Sequence, residues 1–194
     1  MPRRRPHDDR IDWPAVFAEA HPEPGASAED LTAALAELRR PLSDKEADEI
    51  ARSQANPFPK KDPLHAAWRP FDPSRWRLPD GPLPPSFLSF HRWSDGGAFA
   101  NGDRGFDPFF PCTRLREYLL AYHVPQYMPG ALPFAFDGGG CFYLFDMRQD
   151  PVEGEYPVLY VGAGNLGYED AVLVAPSFIE ACKGTTDPAD RYVR

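Results

Sequence analysis

Prolines restrict the folds open to this chain of 194 residues more than any other feature, because nine of its 24 prolines fall between Gln54 and Pro85. Proline fixes φ and lacks a backbone N–H, so this segment can form neither a helix nor an inner strand. Four large aromatic residues are interleaved with these prolines: Phe58, Trp68, Phe71 and Trp76. We interpret the segment as an extended strap whose rings dock on the protein surface; the alternative is a proline-rich ligand for an SH3-type partner.

The sequence before this strap predicts short helices. Asp12 is placed to cap a first helix, and Ser27 and Ser43 each begin a capping-box pattern in which an acidic residue follows three positions later. Apolar residues recur at helical spacing after both serines, and a proline ends each pattern. We therefore expect helices that, together with the strap, make up residues 11–82, behind a disordered tail at residues 1–10.

The sequence after the strap predicts helices first and strands later. Pro85 begins a helix that Gly96 ends, Thr113 caps another, and a last helix runs from Pro176 to Gly184. Four short apolar runs predict strands, the first two joined by a tight glycine hairpin: 132–137, 141–147, 157–161 and 171–174. This order is typical of an α+β fold, with a mainly antiparallel, twisted sheet and helices packed on it.

Four short motifs within residues 83–184 resemble, in their order and spacing, the SUKH superfamily, whose domain is of the Smi/Knr type. They are Leu-Pro-Pro-Ser-Phe-Leu at 83–88, Trp-Ser-Asp-Gly-Gly at 93–97, the glycine hairpin with its flanking strands at 134–146, and Ala-Pro-Ser-Phe at 175–178. Two positions depart from the family pattern, since Asp95 stands where asparagine is usual and Cys141 where aspartate is common. Residues 11–82 resemble the variable N-terminal part, and residues 185–194 form a polar tail.

This resemblance implies a SUKH-like fold and a non-enzymatic binding domain. Such domains often serve in bacteria as immunity proteins that neutralise a cognate toxin, and in fungi as regulators of the cell wall and of signalling. Glycine permits backbone conformations that other residues avoid, so we predict that the motif residues have an architectural role. These residues are Trp93, Gly96, Gly97, Asp137, Gly138, Gly139, Gly140 and Asp146.

The balance of charge excludes several partners. With 21 basic and 29 acidic residues, the net charge of −8 argues against direct binding of nucleic acid, which requires a basic surface. No apolar run approaches the roughly 18 residues that span a bilayer, and the first residues carry charge without the apolar stretch of a signal peptide. We therefore expect a cytoplasmic protein with no membrane partner.

Acidic residues concentrate in the C-terminal part of the chain. From Pro133 to Arg194 there are ten acids and four bases. If the strand loops cluster, they form an acidic rim with two aromatic residues that would bind a basic protein partner, such as a toxin domain. The alternative is a solvated acidic surface that keeps the protein soluble. The predicted partner-binding residues are Asp150, Glu153, Glu155, Tyr156, Tyr168, Glu169 and Asp170.

Motifs for catalysis, cofactors and metals are weak. Residues 162–167 read Gly-Ala-Gly-Asn-Leu-Gly, but a strand follows where a dinucleotide-binding fold needs a helix, so we interpret them as a loop. A thiol nucleophile needs a nearby base. Folding would have to bring together one of two pairs, Cys112 with His123 or Cys141 with His91. The five histidines and three cysteines lack metal-binding spacing. We predict no catalytic residue, cofactor or metal.

Three functional hypotheses remain from the sequence. The first is an immunity protein that binds a toxin stoichiometrically. The second is a regulatory scaffold of the Smi/Knr type that binds partners through the strap. The third is a small cysteine-dependent or nucleotide-dependent enzyme. The sequence leaves the identity of the partner and the oligomeric state open.

Overall fold

A computed structural model describes residues 11–191 and contains a single antiparallel sheet in which every strand pairs with its neighbours in sequence order. The described residues form seven strands: β1 (Glu19–Pro22), β2 (Gly97–Asn101), β3 (Arg104–Phe109), β4 (Ala131–Phe136), β5 (Cys141–Asp146), β6 (Val158–Gly162) and β7 (Val172–Ala175). The seven α-helices are α1 (Trp13–Val16), α2 (Ala28–Arg39), α3 (Asp44–Ser53), α4 (Pro85–Trp93), α5 (Leu115–Ala121), α6 (Val124–Tyr127) and α7 (Phe178–Lys183). The predicted α+β fold with additional N-terminal helices is confirmed.

One face of the sheet carries a layer of aromatic rings. Phe178, from α7, is fully buried and contacts rings from α1, α4, β3, β4 and β5. Trp13 of α1 lies in the same layer, and its ring centroid is 5.2 Å from that of Phe90. Aromatic side chains each bury a large apolar area, so this layer supplies much of the driving force for folding. Helices α1, α4 and α7 thereby close this face.

The opposite face is covered by α5 and α6. Phe110, which directly follows β3, stacks on Tyr118 of α5 with 3.7 Å between ring centroids. Phe136 of β4 stacks on Phe142 of β5 at 4.4 Å, and the ring of Tyr122 packs edge-on against both. Strands β4 and β5 therefore lie between two apolar layers. Because both of their faces are buried, their sequences do not alternate between apolar and polar residues.

Strand β1 was not predicted from the sequence. It is a short edge strand that pairs only with β2, and it ends in a proline. Buried side chains of later segments hold it: Ser94 accepts the Glu23 N–H at 2.9 Å, and Asn101 accepts the Ala18 N–H at 2.7 Å. These contacts are long-range in sequence, so no local pattern announces the strand.

The strap docks through its second half. Phe71 packs edge-on against Tyr127, and Trp76 donates its indole N–H to Gln126 at 2.8 Å, both partners lying on α6. Side chains within the first half hold that half in place, as Asn56 donates to the His65 carbonyl at 3.0 Å. All four strap rings are partly buried.

Residues 185–191, which the sequence assigns to the tail, include a 3-10 turn, and the Arg104 side chain donates to the Thr186 carbonyl. Residues 1–10 lie outside the described residues.

A buried arginine joins the N-terminal helices to the rest of the molecule. Arg116 of α5 is 8% exposed and donates to Glu46 of α3 through both Nε and Nη2, at 2.8 and 3.1 Å. Its guanidinium also donates to carbonyls at the end of α2 and the start of the α2–α3 connection, namely those of Glu37, Leu38, Arg40 and Pro41. A cation at the C-terminal end of a helix satisfies orphan carbonyls and interacts favourably with the helix dipole. The bond from Arg116 also holds the pKa of Glu46 far below its usual range.

We expect Arg116→Ala to lower the free energy of unfolding by about 3 kcal/mol, because it leaves several carbonyls without their donor and removes two hydrogen bonds from Glu46, which keeps those from Arg40 and Ser43. Urea denaturation at pH 7 measures the change. Arg114→Ala is the matched control: Arg114 pairs with Glu117 at 2.6 Å on the exposed surface of the same helix turn, so its loss should cost less than about 1 kcal/mol. Equal effects of the two substitutions would contradict the structural role of Arg116.

Candidate functional site

The corner between α4 and β2 brings together an imidazole, a carboxylate and a thiol. Asp95 Oδ1 lies 2.7 Å from His91 Nδ1 and accepts the Cys112 backbone N–H at 2.7 Å. The Cys112 thiol donates to the other oxygen, Oδ2, at 3.6 Å. His91 is fully buried and Cys112 is 4% exposed. The sequence had suggested Cys112 with His123 or Cys141 with His91; in the structure Cys112 and His91 instead share Asp95.

The order of these groups does not suit nucleophilic catalysis. A thiol nucleophile is activated by a base that takes its proton, whereas Asp95 stands between Cys112 and His91. Burial, reinforced by the negative charge of Asp95, raises the pKa of the Cys112 thiol to about 12. Burial also acts to raise the pKa of Asp95, but the bonds from His91 and from the Cys112 N–H outweigh it and leave that pKa below its usual range. Thus the carboxylate ties α4 to the segment before α5 and the thiol stays protonated.

The glycine hairpin between β4 and β5 is organised by a second carboxylate. Asp137 accepts the backbone N–H groups of Gly139 and Cys141, at 2.7 and 2.9 Å, and the hydroxyl of Tyr160 at 2.6 Å. Gly138 and Gly140 have φ of 82° and 99°, a region that favours glycine. Burial acts to raise the pKa of Asp137, but these three hydrogen bonds lower it below its usual value. The hairpin is therefore held in one conformation.

The two loops predicted to form the acidic rim meet through one contact. The guanidinium of Arg148, from the β5–β6 loop, lies 3.5 Å from the ring centroid of Tyr168, from the β6–β7 loop. The Tyr168 hydroxyl donates to the Pro129 carbonyl at 3.0 Å, so both its ring face and its hydroxyl are engaged. The remaining predicted rim carboxylates outside the core are exposed: Asp150, Glu153, Glu169 and Asp170.

Two predicted rim residues lie elsewhere. Tyr156 is 1% exposed and packs beside Phe145, so placing its side chain on a partner-binding surface was wrong. Glu155 is half-buried, and its carboxylate accepts the Ser86 hydroxyl at 2.5 Å and the Phe178 N–H at 3.1 Å. These bonds join the first turns of α4 and α7, which is a structural role. The apolar neighbourhood of both residues comes from distant segments, so the sequence alone could not reveal it.

Sequence reasoning missed a groove that runs between the two glycine turns. Two adjoining hollows, of about 260 and 570 Å³, share Asp107 as a common wall. The smaller is lined by Tyr122, Phe136 and the glycine hairpin, and the larger by the turn at 95–97, Tyr118 and part of β1 and its exit. The spacing of Tyr118 and Tyr122 on and after α5 was the available signal, but their four-residue separation is equally typical of core-facing positions.

The remaining motifs give no catalytic geometry. Gly162 ends β6, and residues 163–167 form the loop that leads towards β7, as the sequence predicts; no helix starts there to bind a phosphate. Among residues 11–191, no group of three or more His, Cys, Asp or Glu side chains is placed to hold a metal ion. Within the same range, no helix is both long and apolar enough to cross a membrane.

These observations define an α+β domain with a closed aromatic core, two glycine turns and an acidic surface. Residues 78–182 match the family model described as "SMI1 / KNR4 family (SUKH-1)", and this span covers more than half of the 194 residues. The chain therefore belongs to the SMI1/KNR4 (SUKH-1) family. The resemblance seen in the sequence is thereby confirmed. A comparison with curated proteins found no match.

Asp137→Asn should lower the free energy of unfolding at pH 7 by about 1–2 kcal/mol, because it weakens three hydrogen bonds to a carboxylate. The difference should shrink as the pH falls below about 4, where the unfolded aspartate takes up a proton before the folded one does. Urea denaturation at several pH values measures this. Asp103→Asn, at an exposed turn position, is the control and should change stability little. A difference that grows at low pH would contradict the assignment.

Iodoacetamide should modify Cys112 and Cys182 in the folded protein only very slowly at pH 7.5, since burial raises the pKa of both thiols. Cys141 is partly exposed and should react before them. Mass spectrometry of the digested protein locates the label, and unfolding in urea should make all three cysteines react alike. Rapid, selective labelling of Cys112 in the folded protein would indicate an activated thiol and would support the enzyme hypothesis.

Proposed function

We propose that this chain is a non-catalytic protein-binding module that acts as an immunity protein, neutralising a basic toxin domain by stoichiometric binding. The observation that carries the proposal is an acidic surface on a member of the SUKH-1 family, whose exposed carboxylates Asp150, Glu153, Glu169 and Asp170 form no salt bridge with a described residue. Toxins that act on nucleic acid need basic surfaces to hold phosphate, so an acidic inhibitor complements them.

The exposed carboxylates support a role in steering. Asp150, Glu153 and Glu169 form no salt bridge with any described residue, and Asp170 only accepts a hydrogen bond from Asn165. Nearby Arg148 is already neutralised by Asp146 at 2.7 Å. Unpaired charges of one sign raise the rate at which an oppositely charged protein associates. This rim would therefore accelerate capture of a basic partner.

The competing hypotheses have less support. The enzyme hypothesis needs an activated thiol, whereas burial and the neighbouring Asp95 carboxylate raise the pKa of the Cys112 thiol and keep it protonated. The scaffold hypothesis needs a strap that is free to bind a partner, whereas Phe71 and Trp76 of the strap pack against α6 and His123. Several strap prolines are exposed, among them Pro57, Pro59 and Pro70, but the packed rings fix the segment to the domain. Leu64 is the large apolar side chain of the strap that stays exposed, at 53%. Stoichiometric binding requires neither an activated group nor a free strap.

Co-expression with the toxin-like protein encoded by a neighbouring gene tests the proposal. We expect growth to be rescued and a 1:1 complex to form, with an affinity that falls as salt rises from about 50 to 300 mM because screening shortens the reach of the rim charges. Failure of both rescue and complex formation would remove the immunity role. Catalytic amounts of this chain giving full protection would contradict stoichiometric binding.

The contribution of the rim is measured separately. Neutralising Asp150 and Glu153 together, to Asn and Gln, should lower the association rate constant roughly two- to tenfold and leave the dissociation rate almost unchanged. Neutralising Glu19 and Asp48 changes the net charge by the same amount at exposed positions on β1 and α3. If the control pair lowers the rate equally, only net charge matters and the rim has no special role.

A further inference from the structure

The groove between the glycine turns differs from the rim in being concave. Its larger hollow is bordered by Gly96 and Gly97 of one turn, and its smaller hollow by Gly138 and Gly140 of the other. No atom lies within 4 Å of the position that a Cβ on Gly140 would take, so the smaller hollow is open beside this residue. Asp107 borders both hollows, and its Cβ lies 3.6 Å from the position that a Cβ on Gly138 would take.

The charged groups around the groove are mainly acidic. Three carboxylates border it, those of Glu23, Asp95 and Asp107, against one guanidinium, that of Arg114, and the imidazole of His21. Arg114 is already paired with Glu117, and Asp95 with His91 and Cys112. Asp107 is exposed, and no salt bridge within residues 11–191 includes it. Its charge is therefore open to a cation from outside.

Aromatic rings continue from one hollow to the other. Tyr118 contacts Phe136 with 6.1 Å between ring centroids, and Phe136 contacts Tyr122 at 5.6 Å. Tyr122 is 39% exposed, one of few large apolar side chains that reach solvent. The chain itself shows that a guanidinium suits this environment, because that of Arg114 lies 5.0 Å from the Tyr118 ring centroid. An aromatic face beside a carboxylate is a favourable place for a cation.

We infer that this groove is the docking surface for a basic segment of the partner protein, whose arginine side chain enters the smaller hollow between Asp107 and Tyr122. The inference rests on the proposed function and adds to it the surface and the chemistry of the partner. A negatively charged groove repels the phosphates of nucleic acid. We therefore expect the occupant to be a basic peptide segment and not nucleic acid. The rim steers the partner, and the groove holds it.

A titration with capped peptides tests the inference. The probe is the peptide Gly-Ser-Arg-Gly-Arg-Ser-Gly, and its comparison carries Gln in place of Arg. Added to the ¹⁵N-labelled full chain, the Arg peptide should shift the backbone resonances of Gly96, Gly97, Gly138 and Gly140, and the Gln peptide should not. Shifts confined to the rim loops, or equal shifts with both peptides, would overturn the inference.

Matched substitutions separate specific docking from general attraction. Asp107→Asn and Asp150→Asn each remove one exposed negative charge. Thermal unfolding of each variant is the control for folding, and we expect both to unfold near the temperature of the unsubstituted protein. We expect Asp107→Asn to weaken binding of the Arg peptide about fivefold, Tyr122→Ala to weaken it similarly, and Asp150→Asn to weaken it less than about twofold. Equal weakening by Asp107→Asn and Asp150→Asn would overturn the inference.

The toxin complex distinguishes this inference from the proposed function. If the complex forms and retains its affinity in the Asp107→Asn, Tyr122→Ala double variant, the inference fails while the immunity role stands. If no toxin complex forms but the Arg peptide binds in the groove, the immunity role fails while the docking surface stands. Loss of the complex in the double variant, with normal folding, supports both.

Discussion

Burial of one continuous aromatic layer dictates what the rest of this molecule can do. Phe178 of α7 packs against rings from three strands and two other helices, and Trp13 and Phe17 from the start of the described chain complete the layer. Interiors packed in this way leave no room for a substrate. The hollows of the molecule therefore lie at its surface: two beside the glycine turns, one between the strap and α6, and one between α3 and α5.

Two groups of carboxylates in this protein have different roles: one accepts hydrogen bonds inside the protein, and the other is exposed at its surface. Asp95, Asp137 and Glu155 point inward and accept N–H or O–H groups from segments far apart in sequence. Each stabilises a junction because a hydrogen bond to a charged acceptor is stronger than a neutral one. Others, such as Asp107 and Glu153, are exposed and remain available to a partner. The amino-acid composition gives only the total number of carboxylates and does not separate the two groups.

Much of the fold could be predicted because its signals are local. The capping boxes at Ser27 and Ser43 both exist, and the strands after Pro129 begin and end within one or two residues of the predicted limits. Apolar runs and turn glycines are enough to specify such elements. Strand β1 was missed because Ser94 and Asn101, far along the chain, hold it in place.

The candidate site was harder to predict for the same reason. The groove joins Asp107 of β3, Tyr122 beyond α5 and the glycine hairpin, which are separated by whole elements in the sequence. Sequence spacing did not predict that His91 of α4, Asp95 just beyond that helix, and Cys112 would come together. Burial likewise moved Tyr156 from the expected surface into the core. Charge density is readable from a sequence, but which charges stay exposed depends on tertiary packing.

Arg116 of α5, which donates to carbonyls at the end of α2, also bears on where the functional unit ends. The family match begins at residue 78, yet Arg116 inside it bonds carbonyls of residues 37–41 outside it, and Trp13 completes its core. The residues before the matched span are thus bonded to the matched span through Arg116. Any exchange of the N-terminal helices that keeps this arginine must offer its guanidinium an equivalent set of acceptors, because a buried cation without partners is strongly destabilising.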